Sequence, residues 1–275
     1  EIKVKIVGLG NCGCNIAEEF TKYPQYNVFC IDTQPRQVKN FYLIPGKDHP
    51  EEYERECPDL TSFLNCNGEV IFILGGSGHI SAASLRILET IKHCKIKILY
   101  IYEQPDLLSE TGRLQQRASF HILQEYARSG IFEQIILVDN SSVSDIVGEV
   151  SIVDYYTSIN QTIAPAIHFL NVFNNSKPVM STFYPLAPTS RIRTVGIINV
   201  ETGEEKVFFS LDNRTETRYY YAISEKSLKE DGTLHSKIKS QVKEKDERTS
   251  FGIFETDYDN NFCYSLVCGR EVVQL

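Results

Sequence analysis

The chain has 275 residues, 42% of them hydrophobic, and a formal net charge of −8. That length suits one large or two modest domains, and the acidic balance disfavours a polyanion, so nucleic acid is not expected as a direct partner. The apolar runs, such as 70–74 and 135–138, are far too short to span a bilayer.

In chain order, 2–7 alternates and ends in glycine, a strand followed by a turn. Residues 15–22 read as a helix and 27–31 as a second strand, so a β-loop-α-β crossover opens the chain, expected right-handed. Residues 39–67 read as irregular surface chain with one short helix. A strand at 69–74, a helix at 81–93, a strand at 95–102, a helix at 112–129 and a strand at 134–138 follow. A long helical pattern containing Pro165 covers 154–173.

The character then changes. Residues 174–190, rich in Asn, Ser and Pro, read as a connector. Strands are expected at 194–200, 206–211 and 219–223, a helix at 227–243, and a hairpin pairing 250–255 with 261–267. The lysine- and glutamate-rich 237–248 reads as a solvated helix face. The expected fold class is α/β: a Rossmann-like parallel-sheet nucleotide-binding domain (1–153), a long core helix (154–174), a connector (175–190) and a smaller α+β C-terminal domain (191–275).

Eight cysteines sit mostly in apolar runs and show no zinc spacing. They read as reduced thiols used as small hydrophobes, and no metal site is expected. The chain enters directly into a strand, so no signal peptide is expected and a cytoplasmic location is. It does not begin with Met, which leaves open a trimmed tail and an adaptor bound through it.

Two glycine loops carry the functional signal. Gly8, Gly10 and Gly13 spell G-x-G-x-x-G between a strand and a helix, where glycines let the backbone approach a phosphate and the helix N-terminus offers free N–H groups. Asp32 ends the second strand, where a dinucleotide enzyme would bind the ribose 2′-hydroxyl, so an NAD-dependent oxidoreductase is a rival reading. A second loop, Gly75-Gly76-Ser77-Gly78, again lies between strand and helix. Two loops at consecutive strand ends suit a polyphosphate held from two sides, with Ser77 adding a hydroxyl and successive N–H groups an anion nest. There is no P-loop motif.

These motifs resemble the tubulin/FtsZ superfamily, in a divergent, phage-type form. The run Val7 to Asn15, with Asn11, Cys12 and Asn15, resembles the first nucleotide loop of FtsZ. Asp32-Thr33-Gln34 resembles the Asn-Thr-Asp segment after its second strand. The stretch from Leu74 to Ser81 resembles the tubulin signature loop, with Ser77 in place of Thr, His79 in place of a small hydroxyl residue and Ile80 in place of the last glycine. The run from Pro105 to Arg113 resembles the FtsZ ribose loop. It implies Arg113 for phosphate and Glu110 for ribose hydroxyls, or Ser109 if no gap is allowed; an ordinary helix start capped by Ser109 is the plain alternative. The resemblance also implies that Asn160 reads the guanine edge and Tyr156 stacks on the base, and that 250–267 matches the FtsZ second-domain hairpin.

The resemblance therefore implies GTP or GDP as ligand, with Mg²⁺ left open, and self-assembly head to tail into filaments in the cytoplasm, which for a phage-type member is that of an infected bacterium. Family hydrolysis needs carboxylates in the loop after the core helix. Between Asp154 and Glu201 this chain has neither Asp nor Glu. Hydrolysis is expected to be weak or absent unless Asp139, Asp145 or a partner supplies a base, and no catalytic residue is assigned. A non-polymerising nucleotide-binding scaffold of the same fold is the second reading.

Overall fold

A computed structural model describes residues 4–243 and 248–275, with the side chain of residue 243 excepted. The start of the strand expected at 2–7 and residues 244–247 of the charged run therefore lie outside the described residues.

The first half alternates strand and helix. Strand β1 (Val4–Leu9) leads into α1 (Gly10–Glu19), β2 (Tyr26–Asp32) and β3 (Asn40–Leu43). Two short helices, α2 (Pro50–Arg55) and α3 (Thr61–Leu64), precede β4 (Glu69–Gly75). A 3-10 turn and α4 (Ser84–Thr90) lead to β5 (Lys95–Tyr102), then α5 (Glu110–Arg128), β6 (Gln134–Asp139), α6 (Asn140–Val147) and α7 (Tyr155–Asn174). The strands β3-β2-β1-β4-β5-β6 are parallel neighbours in that order. The chain runs outward from β1 to β3, then resumes on the other side of β1 with β4. The topological switch thus lies between β1 and β4, where open α/β sheets bind ligands beyond the C-terminal strand ends.

The second half contains β7 (Met180–Ser181), β8 (Ile192–Ile198), β9 (Glu205–Val207), β10 (Arg214–Ser224), α8 (Glu225–Glu230), α9 (Leu234–Lys243), β11 (Arg248–Thr256) and β12 (Phe262–Gly269). Its strands continue the same sheet in the order β8-β12-β10-β11-β7, with β9 on β8. The junction is the short parallel pairing of Ile135 and Ile136 with Ile192 and Arg193.

Helix α7 is the spine. Its apolar stripe of Ile159, Ile163, Ile167, Leu170 and Phe173 packs on Ile73, Leu99, Ile101 and Val138 of the first half and on Val195, Tyr220, Phe254 and Leu266 of the second. Each fully buried Ile or Leu contributes about 1.5–3 kcal/mol, which outweighs the roughly 3 kcal/mol cost of Pro165 inside the helix. The opposite sheet face is closed by α2 to α5 through Tyr53, Leu64, Leu88 and Phe120.

Several sequence expectations are corrected. Residues 39–67 hold β3, α2 and α3 rather than one short helix. Helix α6 adds an element where none is expected. Strand β9 stops at Val207, short of 211, and the helix expected at 227–243 is two helices, α8 and α9. Strands β11 and β12 do not form a hairpin. Strand β10 lies between them, parallel to β11 and antiparallel to β12. Crossing two inter-strand spacings takes about 10 Å, which five linking residues span easily.

Candidate functional site

At the C-terminal ends of β1, β4, β5 and β6 lies a cavity of about 290 Å³. The start of α1 contributes Asn11, Cys12 and Asn15, and the loop after β4 contributes Gly75 and Ser77. Strand β5 and the residue following it contribute Ile101 and Glu103, the first residue of α6 is Asn140, and α7 contributes Tyr156 and Asn160. Seven expected site residues thus come together here: Asn11, Cys12, Asn15, Gly75, Ser77, Tyr156 and Asn160.

Nine others do not line the cavity. Gly8 and Gly13 serve close packing: a Cβ on Gly8 would lie 2.5 Å from the Gly13 carbonyl oxygen, and one on Gly13 2.2 Å from that of Ile73. These two positions seat α1 directly on β1 and β4. Gly10 turns the chain into α1 at φ +69°. Gly76 leaves room for the Tyr100 hydroxyl, and Gly78 faces open space with His79 beside it. Glu110 is exposed at the start of α5, where the Ser109 hydroxyl accepts from Gly112 N at 3.1 Å as an ordinary cap. Arg113 lines a separate cavity with Tyr102, Phe120 and Leu275.

Asp32 is buried and already bound. One carboxylate oxygen accepts from Thr33 N at 2.7 Å and the other from Arg36 Nε at 2.8 Å. The residue on which an NAD reading depends is therefore occupied within the fold.

Besides Ile101, three polar contributors were missed by sequence reasoning. Glu103, just beyond β5, is the carboxylate at the cavity, and Asn140 Nδ2 donates to its Oε2 at 2.8 Å. Burial and the nearby Glu103 charge push the Cys12 thiol up to about 12, and burial followed by Glu103 raises the Tyr156 phenol. Arg36 lies behind Asn11 and Asn15, bonded to both. Glu103 and Asn140 carried a usable signal: a charged residue straight after an apolar strand, and Asp139-Asn140-Ser141 after another, the pattern of a capped helix start. Asp139 indeed caps α6, accepting from Ser141 N, Ser142 Oγ and Gln104 Nε2.

Among the described residues no Lys or Arg lines the cavity. An anion there would be met by the free N–H groups opening α1, the side-chain amides and the Ser77 hydroxyl. Among the described residues no cluster of three or more His, Cys, Asp or Glu could hold a metal. A Mg²⁺ ion, which usually takes one or two carboxylates plus substrate phosphates, would find Glu103 alone.

The whole architecture has close structural counterparts. FtsZ from M. jannaschii superposes with a TM-score of 0.71 at 12% identity, over 98% of this chain and 88% of that one. The fold is that of the tubulin/FtsZ superfamily. TubZ of Bacillus thuringiensis serovar israelensis, in a GTPγS-form protofilament, gives 0.72 at 14% identity over 98% and 87%. CetZ2 from Haloferax volcanii, a GTPγS-bound protofilament, gives 0.71 at 15% over 98% and 93%. No family model matches the sequence, and no curated protein matches it significantly. The tubulin/FtsZ likeness is thus carried by three-dimensional structure at low identity.

A larger cavity, about 360 Å³, lies at the other end of the strands against the C-terminal part of α7, lined in part by Asn174, Arg193 and Arg218. It is remote from both glycine loops. Among the described residues, no helix is long and apolar enough to cross a membrane.

Proposed function

We propose that this chain binds a guanine nucleotide in the cavity at the β1–β4 switch point and self-associates head to tail, with hydrolysis weak or absent. The observation that carries the reading is the convergence of both glycine loops with Asn140, Tyr156 and Asn160 around one cavity. Phosphates meet the N–H-rich start of α1 and the β4 loop. The base meets the Tyr156 ring and two carboxamides, each offering a donor and an acceptor to the guanine edge. Glu103, rather than Glu110, supplies the carboxylate for the ribose hydroxyls. Any Mg²⁺ is held chiefly by the phosphates. The solved relatives in GTPγS protofilaments support both ligand and assembly.

Two exposed apolar patches support a head-to-tail contact. Val150, Ile152 and Val153 are exposed just before α7, whose first turns line the cavity, and Val179, Met180 and Tyr184 are exposed after its other end. Patches on opposite ends of one subunit make a heterologous contact that propagates openly. The segment after α7 brings Lys177 and no carboxylate, so the neighbour's nucleotide receives no general base from it. That segment contains the two-residue β7 and no helix among the described residues, which keeps a non-polymerising scaffold as the second reading. The location we assign is the cytoplasm, in keeping with eight free cysteines. The deciding experiment is nucleotide content of the purified protein, followed by pelleting with GTP, GDP and no nucleotide. Guanine nucleotide together with sedimentable polymer is expected; bound nucleotide without polymer selects the scaffold, and NAD in place of guanine nucleotide overturns the reading.

A further inference from the structure

Among the described residues no lysine or arginine lines the cavity, and a cation, Arg36, lies one layer behind it. Arg36, in the segment following β2, has a side chain only 12% exposed and lies along one face of α1. Its Nη2 donates to Asn11 Oδ1 at 2.7 Å, and its Nη1 to Asn15 Oδ1 at 2.7 Å and to Glu18 Oε1 at 2.8 Å. Its Nε donates to Asp32 Oδ2 at 2.8 Å. Asn11, Asn15 and Glu18 are spaced i, i+4, i+7, so one guanidinium reaches all three. Nη2 also approaches the Asn11 carbonyl oxygen at 3.3 Å.

The chemistry of the pair decides what the asparagines present. A guanidinium has five donors and no acceptor, so each carboxamide must turn its oxygen toward Arg36. That leaves both Nδ2 groups for the ligand side. Among the described residues, neither Asn11 Nδ2 nor Asn15 Nδ2 donates to another protein group, and both residues line the cavity. Asp32 and Glu18 hold the guanidinium in turn, which explains a buried Asp32 that lines no ligand cavity.

We propose that Arg36 is a positioning residue for phosphate recognition: it locks the carboxamides of Asn11 and Asn15 with their N–H₂ groups toward the cavity, and its charge polarises both as donors. The inference rests on the reading of the cavity as a nucleotide site, and it assigns to Arg36 the part of that site that reads phosphate.

The test is titration of GDP and of guanosine, which lacks phosphate, against wild type and three variants, with thermal melting alongside. Arg36→Met removes the lock. Arg36→Lys keeps the charge, but a single ammonium cannot span four acceptors. Asn11→Asp keeps an acceptor for Arg36 while replacing the N–H₂ group by a lone pair, and it carries the test should Arg36→Met not fold. GDP affinity is expected to fall about tenfold or more in all three, with guanosine affinity unchanged. Arg36→Met combined with Asn11→Asp should lose less than the product of the single losses, as residues acting through one network do. Wild-type GDP affinity in a folded Arg36→Met or Asn11→Asp protein overturns the inference, as does an equal loss for GDP and guanosine. Wild-type protein that binds neither ligand overturns the reading of the cavity, and this inference with it.

Discussion

Asn140 Nδ2 donates to Glu103 Oε2 across 2.8 Å, joining the ends of β6 and β5 at the rim of the cavity. The bond uses one carboxylate oxygen of Glu103 and one amide N–H, and it leaves Asn140 Oδ1 as a fixed acceptor. Glu103→Gln keeps an acceptor for Asn140 but removes the charge. A hydrogen bond to a charged group contributes about 1.5–3 kcal/mol, so GDP affinity should fall about tenfold or more, and the preference for GDP over 2′-deoxy-GDP should shrink. Glu110→Gln should change neither. Displacement of a fluorescent guanine nucleotide measures both; a loss confined to Glu110→Gln would return the ribose role to α5.

The glycines separate into those that pack and those that do not. Gly13→Ala places a methyl group 2.2 Å from the Ile73 carbonyl oxygen, a backbone atom inside the sheet that cannot rotate aside. Overpacking of this kind costs about 1–3 kcal/mol or more, to be read as a lower urea midpoint. Gly78 has φ −70°, and its Cβ would meet nothing within 4 Å. Gly78→Ala should stay within about 0.5 kcal/mol of wild type or gain slightly from a stiffer unfolded chain. Equal losses for both would mean that the two loops are held by something other than these contacts.

Legibility followed the range of the interaction. Both glycine loops could be read because strand, turn and helix signals are local, whereas Tyr156 and Asn160 were singled out only by resemblance to the FtsZ core helix. Glu103 and Asn140 meet only through the order of β5 and β6 in the sheet, which local pattern does not specify. Arg36 is 25 residues from Asn11 in sequence, and no periodicity links them. The hairpin expectation failed for a related reason. Proximity in sequence suggested that β11 pairs β12, yet Tyr219, Tyr220, Tyr221, Ala222 and Ile223 are all buried. Continuous burial along β10 marks a strand covered on both faces, with neighbours on both edges.

His168 makes stability depend on pH. Its ring is buried, stacks on Tyr23 at 3.6 Å, and its Nδ1 lies 3.0 Å from the Tyr26 hydroxyl. That hydroxyl also accepts from Asn171 at 3.1 Å, and its own proton is available to an unprotonated Nδ1 of the neutral ring. Burial, then the Lys22 charge, lowers the imidazole from 6.5 to about 4. The unfolded chain therefore takes up the proton first. The contribution of neutral His168 is complete above pH 6.5 and is lost as pH falls toward 4, with a slope of up to about 1.4 kcal/mol per unit. In His168→Gln the melting temperature should fall less steeply across that window. Parallel wild-type and variant curves would remove His168 as the cause.

The lower end of α7 predicts slow chemistry. No Asp or Glu occurs between residues 154 and 201, and Asp139 is engaged as the cap of α6. Loss of a positioned base costs about 10²–10⁴-fold in rate. Phosphate release from GTP at saturating protein should therefore be near the uncatalysed level even where polymer forms. Rapid release that scales with polymer mass would point to a base outside this segment.

The proposed head-to-tail assembly would make the two ends of the molecule separable by mutation. Helix α7 has 20 residues, so its ends lie about 30 Å apart, too far for one contact to use both on the same subunit. Ile152 and Val153 are 96% and 89% exposed at one end, and Val179 is 62% exposed at the other. Paired substitutions Ile152→Asp with Val153→Asp, or Val179→Asp with Met180→Asp, place buried charge in the contact and should each abolish pelleting while leaving GDP affinity intact. Each variant keeps one competent end. A mixture of the two should therefore form dimers, seen by analytical ultracentrifugation, and no longer species, whereas either variant alone stays monomeric. A two-fold symmetric contact gives a different result, because a patch that pairs with itself would dimerise in one variant alone and gain nothing from mixing.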